Sequence, residues 1–248
     1  MIPLHDDNPT RITPYVTIAV IGACALVFLW ELSLSPGREE IAFYAYGVVP
    51  AVLFGDLTLP PEVHALPPAL TVVSSMFLHG GWMHLIGNMM YLWIFGNNIE
   101  DAMGHGRFVL FYLLCGAAAA LAQGLAAPGS VIPMIGASGA ISGVLGAYLL
   151  LHPRARVLTL LTLGFFFYFV RIRAAWVLGF WIVLQVFNAA IAPADAGGVA
   201  WLAHVGGFAA GVLLIGPFKY RHVPFFGSAR PPPPPRPPRR GPRRGPWG

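Results

Sequence analysis

Gly136-Ala-Ser-Gly-Ala-Ile-Ser-Gly-Val-Leu-Gly-Ala-Tyr-Leu-Leu-Leu151 carries no charge and, apart from two serines and a tyrosine, no polar side chain. A run like this asks for an apolar surrounding on every side. It is also short. The 15 residues Ala137–Leu151 rise only ~22 Å as a helix, against a bilayer hydrocarbon core of roughly 30 Å. A helix here that ends at one membrane face starts below the other. Ser138, in its first turn, is then a hydroxyl held below the surface.

The rest of the chain supports a bilayer as the solvent. Hydrophobic residues make up 56% and charged residues 10%, against roughly 25% charged in soluble domains. Five further apolar runs flank the first: Pro14–Leu34, Trp82–Ile99, Arg107–Ala127, Ala174–Ala192 and Val199–Phe218. Pro14–Leu34 is long for a signal-peptide core and has no small-x-small cleavage site after it, so it reads as a retained span. Val157–Val170 is apolar but only 14 residues long, with Arg154 and Arg156 before it and Arg171 and Arg173 after. It reads as a re-entrant or interfacial segment with both flanks on one side.

Charge sets the orientation. Eight of the 15 Lys and Arg residues lie in 219–248 with no acid among them, and residues 1–218 carry seven basic and ten acidic groups. Six crossings bring the segments 1–13, 100–107, 152–173 and 219–248 to one side. These hold all the Lys and Arg except Arg38, so that side is expected to be cytoplasmic. The expected organisation is a cytoplasmic segment 1–13, a six-helix membrane domain 14–218, and a disordered basic Pro/Arg-rich tail 219–248. A soluble enzyme, a disordered protein and a nucleic-acid-binding body are excluded. Cys24 and Cys115 both lie in apolar runs, and no His/Cys spacing suggests a metal, so no metal or cofactor is expected.

Ionisable groups inside spans are costly and point to function. His84 and Asn88 are four apart and share a helix face near the outer end of the second run. His204 lies about one and a half turns into the sixth, from the same end. Three alternate spans thus place Ser138, His204 and the His84/Asn88 pair at one depth. A serine needs a base to act as a nucleophile, histidine titrates in the right range, and a tetrahedral intermediate needs donors on its oxyanion. Ser138 and His204 are the candidate dyad. The Ser138 N–H, His84 and Asn88 are the candidate oxyanion donors. No acid stands at that depth, since Glu31 ends the first run and Asp195 lies in an outer loop, so a dyad is expected and not a triad. Gly139-x-x-x-Gly143 and Gly207-x-x-x-Gly211 would let two helices cross closely. Alone, Gly-x-Ser-Gly reads as packing and His84/Asn88 as an interhelical tie; their combination at one level points to chemistry. His79 reads as structural, and Gln123, Gln185 and Asn188 as interhelical hydrogen bonding.

These residues resemble a known family. His79-Gly-Gly-Trp-Met-His84-Leu-Ile-Gly-Asn88, Gly136-Ala-Ser138-Gly and Ala203-His204-Val-Gly-Gly207 are similar in order and spacing to the second-, fourth- and sixth-helix signatures of rhomboid intramembrane serine proteases. The resemblance spans about 14–218. It implies an all-α, six-helix bundle with a water-filled cavity open to the outer face, Ser138 as nucleophile and His204 as general base. It implies an oxyanion hole from His84, Asn88 and the Ser138 N–H, and structural roles for Gly96 and Glu100. It also implies transmembrane proteins as substrates, cut in or beside a helix that must first unwind. Ala69-Leu70-Thr71 stands where many relatives carry a Trp-Arg pair. Ser142 stands where some carry an aromatic ring against the base. The expectation is an active protease in a bacterial-type inner membrane with both termini cytoplasmic. Its partners would be transmembrane substrates and membrane lipids, with no nucleic acid. The sequence leaves the oligomeric state open. The rivals are a non-catalytic binder of transmembrane helices and a small transporter using the two histidines as a proton path. The lack of a mid-span carboxylate argues against the transporter.

Overall fold

A computed structural model describes residues 1–63, 66–192 and 198–227. It begins with a strand, β1 (Ile2–Asp6), and a long helix, α1 (Tyr15–Leu32). Three short helices follow: α2 (Pro36–Tyr46), α3 (Pro50–Leu53) and α4 (Pro68–Ser74), the last continuing into a 3-10 turn at Ser75–Phe77. Next come α5 (Trp82–Tyr91), a π-helical segment (Leu92–Gly96) and α6 (Asn97–Met103), which run on without a break. Then follow α7 (His105–Ala126), α8 (Ser138–Leu151), a hairpin of β2 (Arg156–Leu163) and β3 (Phe166–Arg173), α9 (Ala174–Ile191) and α10 (Trp201–Phe218).

The helices α1, α7, α9 and α10 are each long and apolar enough to cross a membrane. The segment Pro68–Phe77 with Trp82–Met103, bent by 85°, adds a fifth candidate. Helix α8 is apolar but has 14 residues. The chain is a membrane protein on this count. The start and end of each long helix agree with the apolar runs read from the sequence to within a few residues.

Helix α8 is the axis of the bundle. Every residue from Gly139 to Tyr148 is buried, chiefly against α10 and α7. Contact with α10 is backbone on backbone. A Cβ on Gly207 would run into the carbonyl oxygen of Gly139, and one on Gly211 into that of Gly143. The two Gly-x-x-x-Gly motifs therefore face each other. Phe95, Ile99, Phe108, Phe111, Leu145 and Tyr148 fill the core below this crossing.

Two buried acids tie neighbouring elements together. Helix α1 has no capping side chain of its own. Glu100, fully buried, accepts hydrogen bonds from the N–H groups of Val16 (2.9 Å) and Thr17 (2.8 Å) and from the Thr17 hydroxyl (2.7 Å). It thus supplies from α6 the negative charge that a helix N-terminus favours. A Cβ on Gly96 would press on Leu92 and Thr17, so glycine there lets α1 approach. Asp6 of β1 accepts from Tyr148 of α8 (2.6 Å) and from Asn98 of α6 (3.0 Å).

Two expectations need correction. The architecture is not purely α, because Arg156–Arg173 forms a hairpin and β1 adds to it, in the order β1-β2-β3, all antiparallel. The physical reason is local. Val, Thr, Leu, Phe and Tyr dominate the run and favour strand. Gly164, with φ +60°, opens a two-residue turn of the kind that needs glycine first. Both flanks do return to one end, as expected. The second correction concerns 219–248. Its first part packs on the bundle: Tyr220 donates its N–H to Ala102, Phe226 to Leu150 and Gly227 to Leu151, and Val223 is buried. The rest of the expected tail, 228–248, lies outside the described residues.

Candidate active site

The approach to α8 is built by backbone pairing. Val48 and Met134 exchange two hydrogen bonds (3.0 and 2.8 Å), and the Gly136 N–H donates to Ser75 (2.8 Å). Gly136 has φ +116°, and a Cβ there would sit 2.6 Å from His84 Nε2. Glycine is thus required both by conformation and by the approach of His84. The chain enters α8 at Ser138 with no side-chain cap, so its first N–H groups have no partner within the helix. Positive helix-dipole charge gathers at the same point.

The structure brings together all four residues singled out in the sequence. Ser138, His204, His84 and Asn88 line one cavity of about 720 Å³. Ser138 Oγ and His204 Nε2 are 2.9 Å apart. The Nδ2 of Asn88 is buried with no hydrogen-bond partner among the described residues. It also lies near Gly136, as His84 does. An open donor here is a group waiting for an acceptor, since buried polar groups are normally paired.

Residues around the dyad hold its histidine and serine in place. The ring Nδ1 of His204 is 2.7 Å from Gln185 Oε1, on α9. The other amide atom of Gln185 donates to the Trp181 carbonyl (3.4 Å), which sets the amide orientation. The amide oxygen can only accept, so Nδ1 carries the proton and Nε2 turns its lone pair to Ser138. The interhelical hydrogen bond expected of Gln185 is this one, from α9 to the His204 ring of α10. Ser142 hydrogen-bonds back to the Ser138 carbonyl (2.6 Å) and offers no ring to the histidine. The rings near His204 are Trp181 at 5.8 Å and Trp201 at 6.3 Å. Gln123 accepts from the N–H groups of Leu202 and Ala203 (3.1 and 3.3 Å), capping α10 just before His204.

His79 is fully buried. Its N–H donates to Glu31 (3.1 Å), its Nδ1 lies 3.1 Å from the Phe77 carbonyl, and its ring meets His84 edge-on at 5.1 Å. Its expected structural role fits these contacts, and Glu31 serves that turn and not the base. Residues 193–197 of the outer loop that holds Asp195 lie outside the described residues. No cluster of His, Cys, Asp or Glu suited to a metal occurs among the described residues.

Residues 68–221 match the family model of the Rhomboid domain. Among curated proteins, the chain is 33% identical over 148 residues to Rhomboid protein 1, mitochondrial, of Saccharomyces cerevisiae, covering 58% of this chain and 40% of that one. It is 28% identical over 165 residues to Rhomboid-like protein 11, chloroplastic, of Arabidopsis thaliana (61% and 53%). It is 39% identical over 93 residues to Rhomboid protease GluP of Bacillus subtilis (38% and 18%). The chain thus spans about half or less of the length of these relatives. Two of them are named for organelles, so the bacterial-type inner membrane expected from the sequence is not supported by the comparisons.

Proposed function

Since the chain belongs to the rhomboid family, which includes serine proteases such as the one named in Bacillus subtilis, we propose that it is itself an intramembrane serine protease working through a Ser138–His204 dyad. The observation that carries this reading is the 2.9 Å contact between Ser138 Oγ and His204 Nε2 within the cavity. In the same reading the chain crosses the bilayer six times. Trp82–Met103 and the short α8 are the two crossings beyond α1, α7, α9 and α10, and both flanking segments lie in the cytoplasm.

The chemistry runs as follows. Ser138 Oγ attacks the carbonyl carbon of the scissile peptide, and its proton passes to His204 Nε2. The oxyanion takes hydrogen bonds from the Ser138 N–H, Asn88 Nδ2 and the His84 ring N–H. The tetrahedral adduct collapses, the C–N bond breaks, and the Nε2 proton leaves on the new amine. Water then attacks the acyl-enzyme, gives its proton to Nε2, and Ser138 is released when that proton returns to Oγ. Throughout, the Nδ1–H stays on Gln185 Oε1. A neutral acceptor orients the ring as a carboxylate would in a triad, without a charge buried in the bilayer, where unpaired charge is costly. Substrates are transmembrane proteins, cut where a helix end can unwind into the cavity, because an intact helix keeps its carbonyls hydrogen-bonded.

The test needs no known substrate. Purified protein in mild detergent is treated with a fluorophosphonate probe and the adduct is located by mass spectrometry. Labelling on Ser138 that is lost in Ser138→Ala and in His204→Ala supports the dyad. Folded protein that neither labels nor cleaves a transmembrane substrate in liposomes overturns it, in favour of a non-catalytic binder of transmembrane helices.

A further inference from the structure

The hairpin β2–β3 carries charges that no acid pairs with among the described residues. In an antiparallel pair, directly opposed residues share a face. The register opposes Arg156 to Arg173, Leu158 to Arg171 and Leu160 to Phe169, so three arginines stand on one face. Val157 and Thr159 point the other way and are fully buried, which leaves the arginine face outward. All three arginines are exposed, and none makes an ion pair among the described residues. From His152 to Ile191 there is no Asp or Glu. Of the acids beside the sheet, Asp6 accepts from Tyr148 and Asn98, and Asp7, just past β1, spends an oxygen on the Arg156 backbone N–H at 2.7 Å. Like charges directly opposed on a sheet are destabilising, so this face holds repulsion that an anion would relieve.

The same face becomes aromatic toward the turn. Phe169 and Phe167 are about two-thirds exposed. Strand β1 pairs with β2 only as far as Leu160, so the turn end stands clear of the sheet. On its other face Phe166, Tyr168 and Val170 are exposed as well. Arginines at the base and aromatic rings at the tip are the composition of a membrane-interface segment. The base sits at the right height: β2 starts just beyond the end of α8, and β3 runs directly into α9. The free edge of β3 has unpaired backbone groups, which suit the hydrated headgroup layer and not the hydrocarbon.

We propose that Arg156, Arg171 and Arg173 form a binding site for the phosphate of an anionic phospholipid, with the Phe167/Phe169 tip seated among the neighbouring headgroups. The site is independent of the chemistry at Ser138.

The experiment measures binding of fluorescent phosphatidylglycerol and phosphatidylcholine to the full chain in neutral detergent. An arginine near an anionic surface contributes about fivefold in affinity. The wild type is expected to prefer phosphatidylglycerol, and Arg156→Gln/Arg171→Gln/Arg173→Gln to lose about 100-fold of that preference. Arg171→Gln alone, which leaves the Arg156–Arg173 pair in place, loses about fivefold. Phe167→Ser/Phe169→Ser weakens both lipids alike. Removing like charges does not unfold the hairpin, so the triple variant should unfold at the wild-type temperature or above. Equal phosphatidylglycerol binding by wild type and a folded triple variant overturns the site. Displacement of phosphatidylglycerol by millimolar inorganic phosphate overturns the lipid as occupant in favour of a free anion. Unchanged lipid affinity in the phenylalanine variant overturns the seating of the tip.

Discussion

At the scale of the residue, the site depends on a few atoms with one available partner each. Asn88 Nδ2 is a donor unpaired among the described residues, and in the proposed mechanism removing one oxyanion donor costs roughly 100- to 1,000-fold in rate. Asn88→Ala should lower kcat by about that factor with KM nearly unchanged, measured on a transmembrane substrate in liposomes. In the proposed mechanism Gln185 acts through His204. Gln185→Leu leaves the Nδ1–H without its acceptor, a loss of about 1–3 kcal/mol, or about 5- to 150-fold in kcat. Asparagine, one methylene shorter, should restore only part of it. A nitrogen-15 spectrum of the imidazole separates this from general damage: the wild type holds the proton on Nδ1, and the leucine variant shows a mixture of tautomers. Loss of rate with the tautomer unchanged would refute the positioning role. The Ser-His pair was legible in the sequence because each residue sits in a motif. Gln185 was legible only as an interhelical hydrogen bond, because a glutamine on an apolar helix shows no particular partner until α9 is placed beside α10.

At the scale of the element, the crossing of α8 and α10 rests on absent side chains. Gly211 has the Gly143 carbonyl where its Cβ would go, and backbone cannot move aside as a flexible side chain can. Gly211→Ala should destabilise by about 1–3 kcal/mol. It should also reduce Ser138 labelling, because α10 carries His204. Both effects are read from one preparation by thermal unfolding and probe labelling. The small-x-x-x-small spacing was visible in the sequence, and so was each long helix, since every one is an apolar run of membrane length. The hairpin was not legible as strand. Its residues are apolar on both faces of the free end, so the alternation that marks a half-buried strand is missing, and length alone set the segment apart from the helices.

At the scale of the whole molecule, the first strand joins the bundle by docking Asp6 against α6 and α8. Burial pushes the Asp6 carboxyl up to about 6, although the Tyr148 hydroxyl and His5 pull it partly back. The folded form therefore holds this proton at pH values where the unfolded chain has lost it. Stability from this group is present below about pH 4 and is lost as pH rises to about 6. The shift corresponds to about 3 kcal/mol. Asp6→Asn keeps an oxygen acceptor for Tyr148 and Asn98 and has no charge to bury. It should unfold at a higher temperature than wild type at pH 8 and at nearly the same temperature at pH 4. An equal difference at both pH values would show that charge burial is not the cause.

The sequence by itself determined the solvent, the number of apolar runs, and which polar residues stand out within them. Those properties are local or additive: hydropathy sums along a run, and a polar group in a span is anomalous wherever its partners are. Only the tertiary structure decided which groups touch. Glu100 caps a helix 83 residues away in sequence, and Gln185 meets His204 from another helix. Three arginines share a face because β2 and β3 pair in one register. Each of these depends on the angle and offset between elements, which side-chain packing sets and no short stretch of sequence encodes.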